Sequence, residues 1–202
     1  MMATTHALAG MLLAVPVSLV APELAPAAFV AGGVGGFVPD LDLYAGHRKT
    51  LHYPVYGSVA AVPAVGLAAL VPTEATVALA AFLVGAALHA RMDVYGGGLE
   101  LRPWEGTSER AVYDHARGRW RRPRRVVRYD GAPEDLLVSL AFSAPLLVVL
   151  DAAPNVQPVV SSLLAVSLLY VALRKPLGRL AASLAALVPA RVRGYVPDRY
   201  FT

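Results

Sequence analysis

The chain has 202 residues, of which 56% are apolar and 16% charged, with a formal net charge of +4 and no cysteine. Its mean hydropathy of +0.54 exceeds what a water-soluble domain usually carries, so a membrane protein is expected, of one domain or two small ones. The lack of cysteine excludes disulfides and thiolate metal sites, and any metal must be held by His, Asp, Glu or carbonyl oxygen.

The N-terminal stretch ALAGMLLAVPVSLVA has the look of a secretory signal, but no Lys or Arg precedes it, so a retained helix is expected. Apolar runs follow at 6–21, 24–38, 55–71, 74–94, 136–152 and 157–173, with a shorter one at 177–189. A spanning helix takes roughly 17–25 residues. The first two runs meet that only marginally and are interrupted by Pro16, Pro26 and the GGVGG stretch at 32–36. Neighbouring helices must cover such breaks. Gly32 and Gly36 form a small-xxx-small pair suited to close helix packing. They do not form a dinucleotide fingerprint, because position 38 is Val and no strand pattern precedes them.

Six alternating spans place the connections at 22–23, 72–73 and 153–156 on one side, where the nearby charges are the acids Glu23, Glu74 and Asp151. The segments 39–54, 95–135 and everything after 173 then share the other side, toward which all eighteen Lys and Arg residues lie, Arg91 from the near end of the fourth run. The positive-inside rule makes that side cytoplasmic. A seventh span would carry Arg191, Arg193 and Arg199 across, so 177–189 reads as an interfacial helix. The expected fold is all-α: a polytopic bundle of about six spans plus a C-terminal interfacial helix, multi-pass in the inner or plasma membrane, with the N-terminus cytoplasmic. Its segments are a four-helix half at 1–94, a basic cytoplasmic loop at 95–133, and two spans with the terminal helix at 134–202.

Under this topology the metal-capable side chains converge. His6 opens the first run, Asp40 and Asp42 close the second, His47 and His52 lead into the third, and His89 and Asp93 close the fourth. All lie on the basic side, although the topology made no use of them. His89 and Asp93 are i, i+4, about 40° apart around a helix, and can address one ion. Imidazole with carboxylate suits zinc, manganese or iron. Ionisable groups at membrane depth are costly and usually functional.

Thr5-His6, VPDLD at 38–42, HRKTLH at 47–52 and HARMD at 89–93, in that order among apolar runs, resemble the membrane-bound metal-dependent hydrolases of the YdjM-like type, also labelled LexA-binding. More remotely the pattern is similar to the soluble all-helical zinc-dependent phospholipases C. The resemblance covers residues 5–93. It implies that His6, Asp40, His52, His89 and Asp93 hold one or more divalent ions, zinc first, with manganese or iron as alternatives. The family commonly has Thr-His-Ser after its His-Arg pair, whereas here Leu51 separates Thr50 from His52. With a slipped register His47 becomes the ligand.

The expected activity is metal-assisted hydrolysis of a phosphoester or other ester, with membrane lipid and a lipid-like substrate as partners. Asp42 would orient the water or move its proton, and Arg48 would stabilise developing anionic charge. In the second half, His115 beside Asp114 reads as a surface His in a charged loop rather than a metal or acid/base pair, and Trp120 among arginines as a headgroup contact rather than a nucleic-acid site. A non-catalytic metal-binding scaffold or regulator is the alternative function, and a soluble all-α hydrolase the alternative structure. An ion pathway ranks third, because the last two spans carry nothing ionisable at mid-depth. The sequence leaves oligomeric state open.

Overall fold

A computed structural model describes residues 1–149, 156–197, 200 and 201. Asp151 and most of the connection expected at 153–156 lie outside the described residues.

The first apolar run forms two helices, α1 (Ala3–Leu12) and α2 (Val15–Val20). Pro16 stands in the first turn of α2, where a missing N–H costs no intrahelical bond. The second run forms α3 (Ala25–Phe37), and Pro39 then tightens the chain into a 3-10 segment, Val38–Tyr44, that carries Asp40 and Asp42. Next come α4 (Tyr56–Leu70) and α5 (Glu74–Met92), the latter opened by a reciprocal Thr73–Thr76 capping box. α6 (Pro133–Val149) and α7 (Gln157–Ala186) complete the helices.

Contacts at the two ends of the bundle give the helix directions. Met11, Leu24, Ala25, Phe29, Val77, Leu146 and Val160 share one apolar cluster, drawn from the end of α1, the starts of α3, α5 and α7, and the later part of α6. At the opposite end, α1 begins, α3 and α5 end, and α6 begins with Asp135 bonded to Thr5. A Cβ on Gly57, at the start of α4, would touch Ala87 near the end of α5, so these two helices run antiparallel.

Six spans are not supported. Among the described residues, four stretches are long and apolar enough to cross a membrane: Ala3–Val20, Pro22–Leu43, Glu74–Tyr95 and Gln157–Ala186. The 15 residues of α4 rise only about 22 Å, against a hydrocarbon core of about 30 Å. The 17 described residues of α6 begin with Pro-Glu-Asp, and the Asp135 carboxylate is held in a polar network. The separate interfacial helix at 177–189 is also corrected. Those residues continue α7 unbroken through Pro176 to Ala186, and a 3-10 turn, Ala190–Tyr195, follows. Proline removes one ladder bond, and here that does not end the helix. Leu168, Leu169, Leu180 and Leu184 lie exposed along α7, as a lipid-facing surface requires.

The basic segment is more than a loop. β1 (Val112–Asp114) pairs antiparallel with β2 (Arg119–Arg121), with Tyr113 opposite Trp120. The segment is stitched onto the site end of the bundle: Tyr113 N donates to the Arg48 carbonyl at 3.0 Å, and Arg124 N to the Val94 carbonyl at 2.8 Å.

Glycines set how closely the site helices approach. A Cβ on Gly32 would collide with the Gly10 carbonyl, and one on Gly36 with the His6 carbonyl. α1 and α3 therefore touch backbone to backbone, which brings His6 against the end of α3.

Candidate metal centre

The site begins with two histidines whose tautomers are set by their neighbours. His89, on the last turn of α5, donates from Nδ1 to the Gly36 carbonyl at 2.6 Å. His52, in the loop before α4, donates from Nδ1 to Asp42 Oδ2 at 2.9 Å. Carbonyl and carboxylate oxygens only accept, so both rings carry hydrogen on Nδ1 and, as neutral imidazoles, turn a lone pair outward at Nε2. These two Nε2 atoms stand 3.0 Å apart.

Two carboxylates close the group. Asp93 Oδ2 lies 3.3 Å from His52 Nε2 and 3.5 Å from His89 Nε2. Asp40 Oδ1 lies 3.5 Å from His89 Nε2 and 3.9 Å from His52 Nε2. Ligands at about 2.0–2.2 Å from one tetrahedral ion are separated by about 3.3–3.6 Å, close to the spacing seen here. Asp93 Oδ2 is buried with no hydrogen-bond partner and is shared between these rings and the Arg48 guanidinium. Asp40, His52, His89 and Asp93 could hold a metal ion. The His52, His89 and Asp93 side chains are almost fully buried, whereas that of Asp40 is 19% exposed, so the group opens past Asp40.

The other expected site residues surround this group. His6 stacks on His89 at 3.7 Å between ring centres, and its Nε2 donates to Asp93 Oδ1 at 3.1 Å. It therefore braces a ligand from beside the group. Asp42 carries both loop imidazoles, accepting from His52 on Oδ2 and from His47 Nδ1 on Oδ1 at 3.0 Å. The backbone N–H groups of Arg48 and Leu51 also donate to it. Arg48 adopts a left-handed φ of 59°. Its buried guanidinium sits 3.2 Å from Asp93 Oδ2 and donates to the Gly97 carbonyl at 2.7 Å. The side chain thus clamps the loop to the rest of the site while adding positive charge next to Asp93. His47 stands outside the four-residue group. His115 stacks on Tyr53 and hydrogen-bonds the Lys49 carbonyl, on the hairpin side.

The two loop histidines differ electrostatically. Burial works against a charge on His52, yet its hydrogen bond to Asp42 and the adjacent Asp93 carboxylate outweigh burial and raise its pKa above the ordinary imidazole value. Burial, reinforced by the Arg48 charge, holds His47 below that value despite its bond to Asp42.

A cleft of 680 Å³ opens beside the group, with Asp40, His47 and Arg48 in its lining. Its apolar wall includes Phe37, Leu41, Leu101 and a face of α7 from Val166 to Ala181, a distance of about 22 Å.

Two supports were not evident from the sequence. The Gly36 carbonyl fixes His89, and no side-chain pattern announces a backbone acceptor. Asp135, fully buried, accepts from Met2 N at 2.7 Å, Gly131 N at 3.1 Å and Thr5 Oγ1 at 2.7 Å, tying α1 to α6 one residue from His6. The available signal was an acid in the opening turn of an apolar run.

No protein-family model, curated protein or solved structure matches this chain.

Proposed function

We propose that this protein is a membrane-embedded, metal-dependent hydrolase acting on a phosphoester or other ester at the cytoplasmic membrane face. The observation that carries this reading is the convergence of two imidazole lone pairs and two carboxylates beside an apolar cleft. Asp40, His52, His89 and Asp93 would hold the ion. An ion of the zinc type supplies Lewis acidity and brings the pKa of a bound water toward about 7. His6 and Asp42 keep the ligands in register, and Arg48 adds a fixed positive charge where an anionic group would enter.

The length and apolar wall of the cleft favour an elongated amphiphile with its ester near Asp40. The basic hairpin segment and the Arg- and Lys-bearing end of α7 lie toward the site end, which supports a cytoplasmic site.

The test is elemental analysis of detergent-purified wild type beside Asp93→Ala, followed by turnover on a panel of phosphoesters and carboxylic esters. Near-stoichiometric metal that is lost in the variant, with metal-dependent turnover, supports the reading. Metal without turnover on any ester makes the protein a metal-binding scaffold or regulator. Absence of metal from both, after metal is supplied, overturns the site.

A further inference from the structure

We propose that His47 is the proton shuttle of this centre, an inference that rests on the hydrolase reading and assigns a further catalytic residue to it. The structure divides the two loop histidines by position. One Asp42 carboxylate, 2% exposed and held by two backbone N–H groups, fixes both rings. Oδ2 orients His52, whose Nε2 enters the ligand group. Oδ1 orients His47, whose ring lines the cleft. The His47 Nδ1 must carry the hydrogen it gives to Asp42, so Nε2 is a lone pair, with no hydrogen-bond partner among the described residues.

Access separates them as well. The side chain of His47 is 16% exposed, against 0% for His6, His52 and His89. The ring centres of His47 and His52 are 5.8 Å apart, placing a potential base beside the ion site without making it a ligand. A carboxylate-oriented imidazole open to a substrate cleft is the arrangement that general acid–base transfer requires.

The step balances with water as the only co-reactant. His47 Nε2 accepts a proton from water as the water oxygen bonds to phosphorus or to the acyl carbon. The bond to the leaving oxygen breaks, and its electron pair stays on that oxygen. Nε2–H then delivers the same proton there, which frees an alcohol and returns the ring to its starting form. Glu100 competes for this role, because it lines the same cleft and both its carboxylate oxygens are buried without a hydrogen-bond partner. Among the described residues no hydrogen bond ties the Glu100 carboxylate to the ligand loop in the way Asp42 ties His47.

Zinc-loaded wild type, His47→Gln, His47→Ala and Glu100→Gln would be compared on an alkyl and a 4-nitrophenyl member of two series, phosphodiesters and carboxylic esters, with metal content measured alongside. An alkoxide needs a proton to depart, whereas nitrophenolate does not. Both His47 variants are expected to keep their metal and to lose about 10²–10⁴-fold on the alkyl ester, with a much smaller loss on the nitrophenyl ester. Added imidazole should restore part of the His47→Ala rate, which a purely structural role would not permit. Undiminished alkyl-ester turnover, equal losses on both leaving groups without imidazole rescue, metal loss in His47→Gln, or the leaving-group effect appearing in Glu100→Gln instead would each overturn the shuttle alone. No turnover by wild type on all four esters would overturn the hydrolase reading, and the shuttle with it.

Discussion

His52 and His89 face each other Nε2 to Nε2 at 3.0 Å, and with both Nδ1 atoms donating elsewhere, neither ring in its neutral form has a hydrogen to give the other. Two lone pairs at that distance repel unless positive charge sits between them. Asp93 and Asp40 add negative charge at the same point, so the group could hold a cation.

A proton is the competitor for that place. The pKa of folded His52 is raised, so in metal-free protein its contribution to stability is fully present below the unfolded value of roughly 6.5 and is lost as pH rises through the folded value. Chelator-treated protein should therefore lose this increment of Tm on passing from mildly acidic to alkaline buffer, and His52→Gln should not. Metal binding runs the opposite way: apparent zinc affinity should weaken as pH falls, with protons released on binding, as titration at two pH values would show.

Asp42→Asn keeps the shape of a side chain that accepts from two imidazoles and two backbone N–H groups, but removes its charge and one acceptor. Partners that orient metal ligands are typically worth about 10–100-fold in affinity. A loss of that size is expected in a competition titration with a zinc chelator. Unchanged affinity would mean that His52 is oriented by its packing alone.

Gly36→Ala forces a methyl into the His6 carbonyl and disturbs the carbonyl that holds His89. Overpacking of this kind costs about 1–3 kcal/mol, so thermal unfolding in detergent should come earlier and metal content should fall. Gly66→Ala is the control: a Cβ there meets nothing within 4 Å. That helical site should be neutral or gain about 0.4–1 kcal/mol.

Asp114 tests the hairpin. Burial favours its neutral form, yet hydrogen bonds from Arg121 and Arg117 outweigh that and hold the carboxyl below its usual pKa. Its contribution is thus present above about pH 3.9 and lost as pH falls through the depressed folded value. The fluorescence of Trp120, on β2, should report local opening in acid for wild type. In Asp114→Asn the hairpin should already be loosened at neutral pH and show little further change in acid.

The apolar runs and the chemistry at their ends were legible in the sequence. Asp40, His52, His89 and Asp93 stood out because ionisable side chains at the margins of apolar helices are expensive to keep. Helix length was less legible. Hydropathy marks where a chain is apolar but not where a helix starts and stops, so α4 proves short and the last two apolar runs join through Pro176 into one helix.

Tertiary structure decided what depends on contact between distant segments. The loop after Asp42 turns through left-handed Gly46 and Arg48, placing His52 in the ligand group and His47 on the cleft, a choice that spacing left open. Gly36 reaches His89 across 53 residues, and Asp135 reaches Thr5 across 130. By itself the sequence determined which groups could bind a cation and which stretches prefer an apolar medium, because both are properties of side chains and their local order. Which groups meet is determined only when helices close on their glycines, since that proximity is set by packing between residues that sequence order keeps far apart.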